Sequence, residues 1–130
     1  MSLPTTAKER KAIPMYSGFV KYFPDAMAEV AKLSQKGNEQ HHPGQPLHWD
    51  RAKSTDELDA LMRHLKDAGG FDTDGERHST KVAWRAMANL QKELEAAQAK
   101  SPPSPCLTID HRPREWWDHR TNTFRPDKGD

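Results

Sequence analysis

Apolar residues recur at helical spacing in three stretches of the chain. Ala26, Val30 and Leu33 stand at i, i+4 and i+7 and predict a helix over about 24–36. Pro24 suits its first turn and Gly37 is the predicted stop. Leu58, Leu61, Met62 and Leu65 form a second stripe. It follows Ser54-x-x-Glu57, the spacing of a capping box, in which each residue satisfies the other's backbone amide. Gly69 and Gly70 supply positive φ at its end. Ala83, Met87, Leu90, Leu94 and Ala97 alternate by four and three, a coiled-coil-like seam. They predict a third helix from an N-cap at Asp74 to about Lys100. The aromatic run YSGFVKYFP, residues 16–24, is expected to pack. No segment shows a convincing period of two, so the predicted class is all-α, with three principal helices.

The segments between these stripes set the organisation. Residues 1–15 read as a polar N-terminal arm, and 16–100 as one helical domain. Within it, GNEQHHPGQPLHWDRAK, residues 37–53, is a long loop holding His41, His42, His48 and Trp49. Loops of this length inside a compact domain are often functional. SPPSP, residues 101–105, cannot continue a helix and makes a stiff linker. The tail to residue 130 has no period and reads as irregular; Trp116 and Trp117 suggest that it docks on its own or a neighbouring subunit. No internal repeat is visible.

Composition narrows the setting. Hydrophobic residues make up 34% of the chain and charged ones 30%, which predicts a thin core. The bundle is therefore expected to be completed by oligomerisation, with helix faces buried between subunits. A formal charge of +1 argues against bulk electrostatic binding of nucleic acid or an anionic membrane. No apolar run is long enough to span a bilayer, and the N-terminus lacks a continuous apolar core of a secretory signal. The single cysteine, Cys106, makes no internal disulfide, and a cytoplasmic setting fits.

Several polar residues could carry chemistry. Glu29 borders the first apolar stripe, with Asp25 one turn earlier. An acid there needs a cation, a donor or a metal, and a salt bridge or a helix-dipole role serves as well as a site. Asp56 and Asp59 are i, i+3 neighbours whose carboxylates could converge on one hard divalent cation. Capping, with Asp59 paired to Arg63, is the plainer alternative. His78, Lys81, Arg85 and Lys92 form a basic line opposite the third seam, suited to a polyphosphate or simply to solvent. Trp84 flanks the seam as core or interface. Trp49 either stacks on a ligand or pins its loop. The histidines match no strong zinc spacing, and no His-Asp dipeptide, P-loop or Gly-rich dinucleotide fingerprint occurs. No Ser or Cys sits in a nucleophile motif, which argues against covalent catalysis.

The stretches GFVKYFPDAMAEVAKLSQKGNEQHHPGQPLHWDR, STDELDALMRHLKDAGG and RHSTKVAWRAMANLQKELE carry a family likeness. They resemble the phage dATP/dGTP diphosphohydrolases, MazZ-type enzymes that form a divergent branch of the all-α MazG-like nucleotide pyrophosphohydrolases. The likeness covers about residues 9–95. Asp25 and Glu29 stand for that superfamily's first acid pair, although spaced by four rather than three. Asp56 and Asp59 stand for the second, as Asp-x-x-Asp instead of Glu-x-x-Asp.

The resemblance implies hydrolysis of a purine dNTP, dGTP foremost and dATP as a further candidate, to dNMP and pyrophosphate. It implies phage nucleotide metabolism linked to 2-aminoadenine DNA, a dimer or tetramer, and two or three Mg²⁺ or Mn²⁺ ions per site. Carried onto this chain, Glu29, Asp56 and Asp59 become metal ligands, with Glu29 and Asp59 catalytic. Lys21, Arg63 and Lys81 become candidates for the phosphates, some of them from a neighbouring subunit. His48 and Trp49 become candidates for the base or sugar, and His64 joins the substrate-binding set. In an alternative arrangement Asp56 and Asp59 are surface residues and His64, Asp67 or Asp72 lies closer to the site. Two other classes compete. One is a non-catalytic helical phage protein that binds a protein partner or nucleic acid through the basic line and the Trp-rich tail. The other is a metal-binding protein with a structural zinc in the His-rich loop.

Overall fold

The computed structural model describes residues 3–100 and the backbone of 116–118 and 123–125. A single-turn helix, α1 (Ala7–Lys11), lies inside the stretch read as an arm. Thr6 caps it by accepting from the Glu9 amide at 3.3 Å. A π-helical turn, Tyr16–Val20, follows. Beside it Phe19 and Phe23 meet edge to face at 5.8 Å. Tyr16 and Tyr22 stay largely exposed, so the expected burial of residues 16–24 is not seen within one chain.

Helix α2 (Pro24–His41) starts at Pro24 as expected but passes through Gly37 for a further turn. A helical glycine costs only about 1 kcal/mol relative to alanine. Asn38, buried next to it, offsets that cost. Its Nδ2 donates to the Gln45 carbonyl at 3.1 Å and its Oδ1 accepts from the His48 amide at 3.3 Å. The irregular loop is thereby shortened and tied to the helix end.

Helix α3 (Glu57–Lys66) is shorter than predicted. Asp56, and not Ser54, holds the N-cap position, and it makes no side-chain capping bond. The Ser54 hydroxyl instead lies 2.8 Å from the Glu57 carboxylate. The capping-box reading fails because Glu57 turns inward to meet cations. Beyond α3, Gly69 adopts φ +96°, whereas Gly70 does not reach positive φ. The segment 67–77 folds back on itself through an isolated bridge between Phe71 and Arg77 and a turn at Gly75, φ +83°. Asp74 caps that turn by accepting from the Glu76 amide at 3.0 Å. Helix α4 (His78–Lys100) therefore begins four residues later than the predicted N-cap.

Helix α4 packs chiefly on α3 and, over less of its length, on α2. The packed face of α3 carries Glu57, Ala60, Leu61 and His64, at i, i+3, i+4 and i+7. Facing residues on α4 include Lys81, Arg85 and Lys92, so the basic line is internal and not a solvated face. The residues predicted to be buried lie largely outside. Leu58 is 58% exposed, Met62 60%, Met87 52% and Leu90 48%. Among the described residues, Ala60 and Ala88 are the only buried apolar ones. No described helix is long and apolar enough to cross a membrane. Further on, β1 (Trp116–Asp118) and β2 (Thr123–Arg125) pair antiparallel, a short ladder where an irregular tail was expected. The docking of Trp116 and Trp117 concerns side chains outside the described residues.

Candidate functional site

A cleft of about 900 Å³ opens between α2, the 42–56 loop and α4. That is within the range of small-molecule sites. Three sets of residues build it. The first is aromatic. Trp49, from the loop, meets Trp84, from α4, edge to face at 5.8 Å. Trp84 is anchored by its Nε1, which donates to Ser34 Oγ at 2.8 Å. The Arg51 guanidinium lies 4.3 Å from the centre of the Trp49 ring and grips Glu95 of α4 with both Nε and Nη2. These contacts pin the loop, so Trp49 does hold its loop down while also lining the cleft. His42 and His48 add a second ring pair at 4.4 Å.

The second set is cationic: Lys36, Lys53, Lys81 and Arg85 all line the cleft. Lys81 donates to Asp72 at 2.6 Å and to Asp74 at 2.7 Å. Burial alone would lower its pKa, but these two bonds overrule burial and raise it. The same contact holds the Asp72 carboxyl near a pKa of about 2, with help from the Thr73 amide. His64 lies beside them. Its burial, then the charge of Lys81, keep its pKa below the ordinary histidine value. Its Nδ1 is 3.0 Å from Nδ1 of His78.

The third set is a buried ion cluster under the cleft wall. Glu57, with 4% of its side chain exposed, accepts from Lys92 Nζ at 2.8 Å and faces Arg85 at 3.8 Å. Ser54 links the two partners, because its Oγ also accepts from Arg85 at 2.8 Å. Burial pushes the Glu57 carboxyl up. The Lys92 and Ser54 hydrogen bonds overrule that and leave it below the ordinary value.

Of the residues singled out from sequence, His48, Trp49, Asp56, His64 and Lys81 line this one cleft. Asp56 and Asp59 also share a smaller pocket of about 350 Å³ with Asn89 and Lys92. Arg63 reaches Asp56 at 3.0 Å, so its partner is Asp56 and not Asp59. Glu29 pairs with Lys32 at 2.7 Å, and that bond lowers its pKa. Lys21 is exposed. Within one chain Glu29, Asp56 and Asp59 do not gather as three metal ligands. Among the described residues the one group of potential ligand atoms within 4.8 Å of one another is His64, Asp72 and His78. Arg85 and Glu57 were visible only as a member of a basic line and as a cap. Glu57 carried a signal in retrospect, since it falls one turn from Ala60 and Leu61 on the face that packs.

No curated protein and no solved structure matches the chain. A family model described as dATP/dGTP diphosphohydrolase, N-terminal, matches residues 4–101, a span that takes in α1 to α4 and the whole cleft. On that match the chain belongs to the dATP/dGTP diphosphohydrolase family.

Proposed function

We propose that the cleft binds a purine deoxynucleoside triphosphate, dGTP foremost and dATP as well, and that the protein hydrolyses it to dNMP and pyrophosphate. The proposed setting is phage nucleotide metabolism in the host cytoplasm, linked to 2-aminoadenine DNA. One observation carries the reading: a family member has a nucleotide-sized cleft lined by two indoles, Trp49 and Trp84, and by Lys36, Lys53, Lys81 and Arg85. Trp84 and Lys81, one turn apart on α4, offer a π face and an ammonium in the same space. Stacking on indole is worth about 1–3 kcal/mol per base and is tolerant of base identity. Lys81, Arg85 and Lys36 supply charge-assisted donors for phosphate oxygens. His48 and Trp49 are the proposed neighbours of base or sugar.

Mg²⁺ or Mn²⁺ would supply an activated water and neutralise charge at the α phosphate. Asp56 and Asp59, hard oxygen donors in one pocket, fit such an ion. Glu29 does not join them within one chain. We therefore propose a homo-oligomeric site in which α2 of a second copy brings Glu29 in. Arg63, by neutralising Asp56 at 3.0 Å, holds that carboxylate in place when no ion is bound. Lys21, exposed just after the π-helical turn, is a proposed phosphate contact across the same interface.

The test is incubation of the protein with each dNTP and Mn²⁺, with products identified by ion-exchange chromatography. Monophosphate with pyrophosphate is expected, and Asp59→Asn abolishes it with the helical circular dichroism intact. Release of inorganic triphosphate, or no turnover of any dNTP, refutes the reading.

A further inference from the structure

His64, Asp72 and His78 come from three successive elements: the last turn of α3, the 67–77 segment and the first residue of α4. We infer that these three side chains form a binding site for one divalent transition-metal ion, separate from the Asp56–Asp59 pocket. The inference does not rest on the proposed reaction.

Geometry supports it first. Zinc–nitrogen bonds of ~2.0–2.1 Å at a tetrahedral angle place two ligand nitrogens about 3.3 Å apart. The two Nδ1 atoms are 3.0 Å apart, and Asp72 Oδ2 lies 4.0 Å from Nδ1 of His64. A rotation of the Asp72 carboxylate closes the second gap. Without an ion, two imidazoles in this position share one proton only as opposite tautomers. An ion replaces that shared proton with two lone-pair bonds.

The donor set and its surroundings agree. Two imidazoles and one carboxylate suit Zn²⁺, Co²⁺, Fe²⁺ or Mn²⁺ far better than Mg²⁺. Ligands must be free of protons. Burial and the charge of Lys81 hold His64 towards the neutral form, and Asp72 is already ionised. Asp72 is also supported from behind: its Oδ1 accepts from the Thr73 amide at 2.7 Å, and its own amide donates to the Glu76 carbonyl at 2.8 Å. Lys81 now sits on Asp72 Oδ2. On metal binding it keeps its bond to Asp74 at 2.7 Å and gives up the other. Three protein ligands leave a fourth position open. His64 and Lys81 both line the large cleft, so water or a phosphate oxygen has access to that position.

The test strips the full-length protein with chelator and titrates it with Zn²⁺ alone by calorimetry, then with Co²⁺ by visible absorption. The expected result is one tightly bound ion per chain, distinct from weaker uptake at Asp56 and Asp59, and the intense visible bands of tetrahedral Co²⁺. His78→Ala and Asp72→Asn each weaken uptake by at least about 100-fold, beyond the ~10–100-fold that loss of a supporting contact costs. The double variant His42→Ala, His48→Ala and the variant Asp59→Asn retain it. Asp72→Asn keeps the shape of the turn, so the test stands even where His78→Ala fails to fold. No uptake by the unaltered protein overturns the inference. So does uptake that survives Asp72→Asn, or that disappears in the His42, His48 double variant.

Discussion

Glu57→Gln tests whether an ion cluster takes the place of an apolar core here. The substitution keeps the shape of the side chain and removes its charge. In the native protein that carboxylate is 4% exposed and is met by Lys92 at 2.8 Å, Ser54 at 2.8 Å and Arg85 at 3.8 Å. Removing one partner of a buried pair costs about 3–5 kcal/mol, because the remaining charge is left buried without compensation. Here the remaining charges are not fully buried: Lys92 keeps 29% of its side-chain surface and Arg85 28%. Lys92 also retains its bond to the Ser54 carbonyl at 2.6 Å. We therefore expect a loss of about 2–3 kcal/mol. For a domain of this size that lowers Tm by roughly 10–20 °C.

The assay is thermal unfolding at neutral pH, followed by circular dichroism at 222 nm (a far-ultraviolet wavelength of about this value reports helix). The control is Asp56→Asn, which removes a pair with 65% and 50% of its side chains exposed and screened by water, so its effect is much smaller. Equal effects from the two substitutions refute the reasoning. A second variant sharpens it. In Glu57→Gln combined with Lys92→Met no unpaired ammonium is left, so part of the lost stability returns. Acid should act in the same direction. The Glu57 carboxyl lies below its ordinary value of 4.5, so its contribution is complete above that pH and is lost as pH falls further.

Two further outcomes follow from the site. Asp72, held near a pKa of about 2 against an ordinary 3.8, contributes stability that is present above about pH 4 and fades as pH falls towards 2. In Asp72→Asn, thermal melts at stepped pH should show a flatter acid limb; an unchanged limb assigns the acid sensitivity elsewhere. If Glu29 and Asp59 act from different subunits, inactive Glu29→Gln and Asp59→Asn proteins unfolded together and refolded regain about a quarter of native turnover, because half the dimers are mixed and each holds one intact site. Absence of any recovery places both acids on one chain.

The helices were legible in the sequence, and their facing was not. Period and punctuation placed α2, α3 and α4 to within a few residues at most ends. Rules of burial then chose Leu58, Met62, Met87 and Leu90 as the inside, because large apolar side chains usually are. The chain instead closes α3 on α4 with small residues, Ala60 and Ala88, flanked by Glu57, Lys92, Arg85, His64 and Lys81. Single-chain periodicity cannot reveal that choice, since a stripe of Glu, Ala, Leu and His has the same period as its neighbouring stripe. Trp49 and His48 were legible as loop residues with functional potential, because a Pro- and Gly-rich segment has few other uses for them. Their joining to Trp84 and Lys81 depends on Asn38 and Arg51, whose bonds span 7–10 and 44 residues of sequence. The Asp72 carboxylate meets two histidines through a fold-back that starts at Gly69 and turns at Gly75. No spacing rule links positions 64, 72 and 78 in advance.

The outward stripes make their own demand. Leu58, Met62 and Leu65 stand at i, i+4 and i+7 along α3, and Met87 and Leu90 at i and i+3 along α4, each 47–60% exposed. Fully burying such a side chain is worth about 1.5–3 kcal/mol, so covering the exposed half of each of five yields roughly 5 kcal/mol per chain. Two chains together gain about 10 kcal/mol, against an association cost of ~4–15 kcal/mol. With the two so close, we propose self-association whose population depends on concentration, not a permanent oligomer. Apparent Tm should therefore rise with protein concentration, as it does wherever the native state alone binds a partner. Sedimentation velocity over the same range should show the sedimentation coefficient rising in parallel. Leu58→Ser with Met62→Ser removes the rise at little cost to the monomer's own packing, because the two side chains are 58% and 60% exposed. A Tm that stays constant with concentration in the native protein, together with a single monomeric species throughout, would show that these stripes are simply wet, and the two-chain site proposed for Glu29 would fall with them.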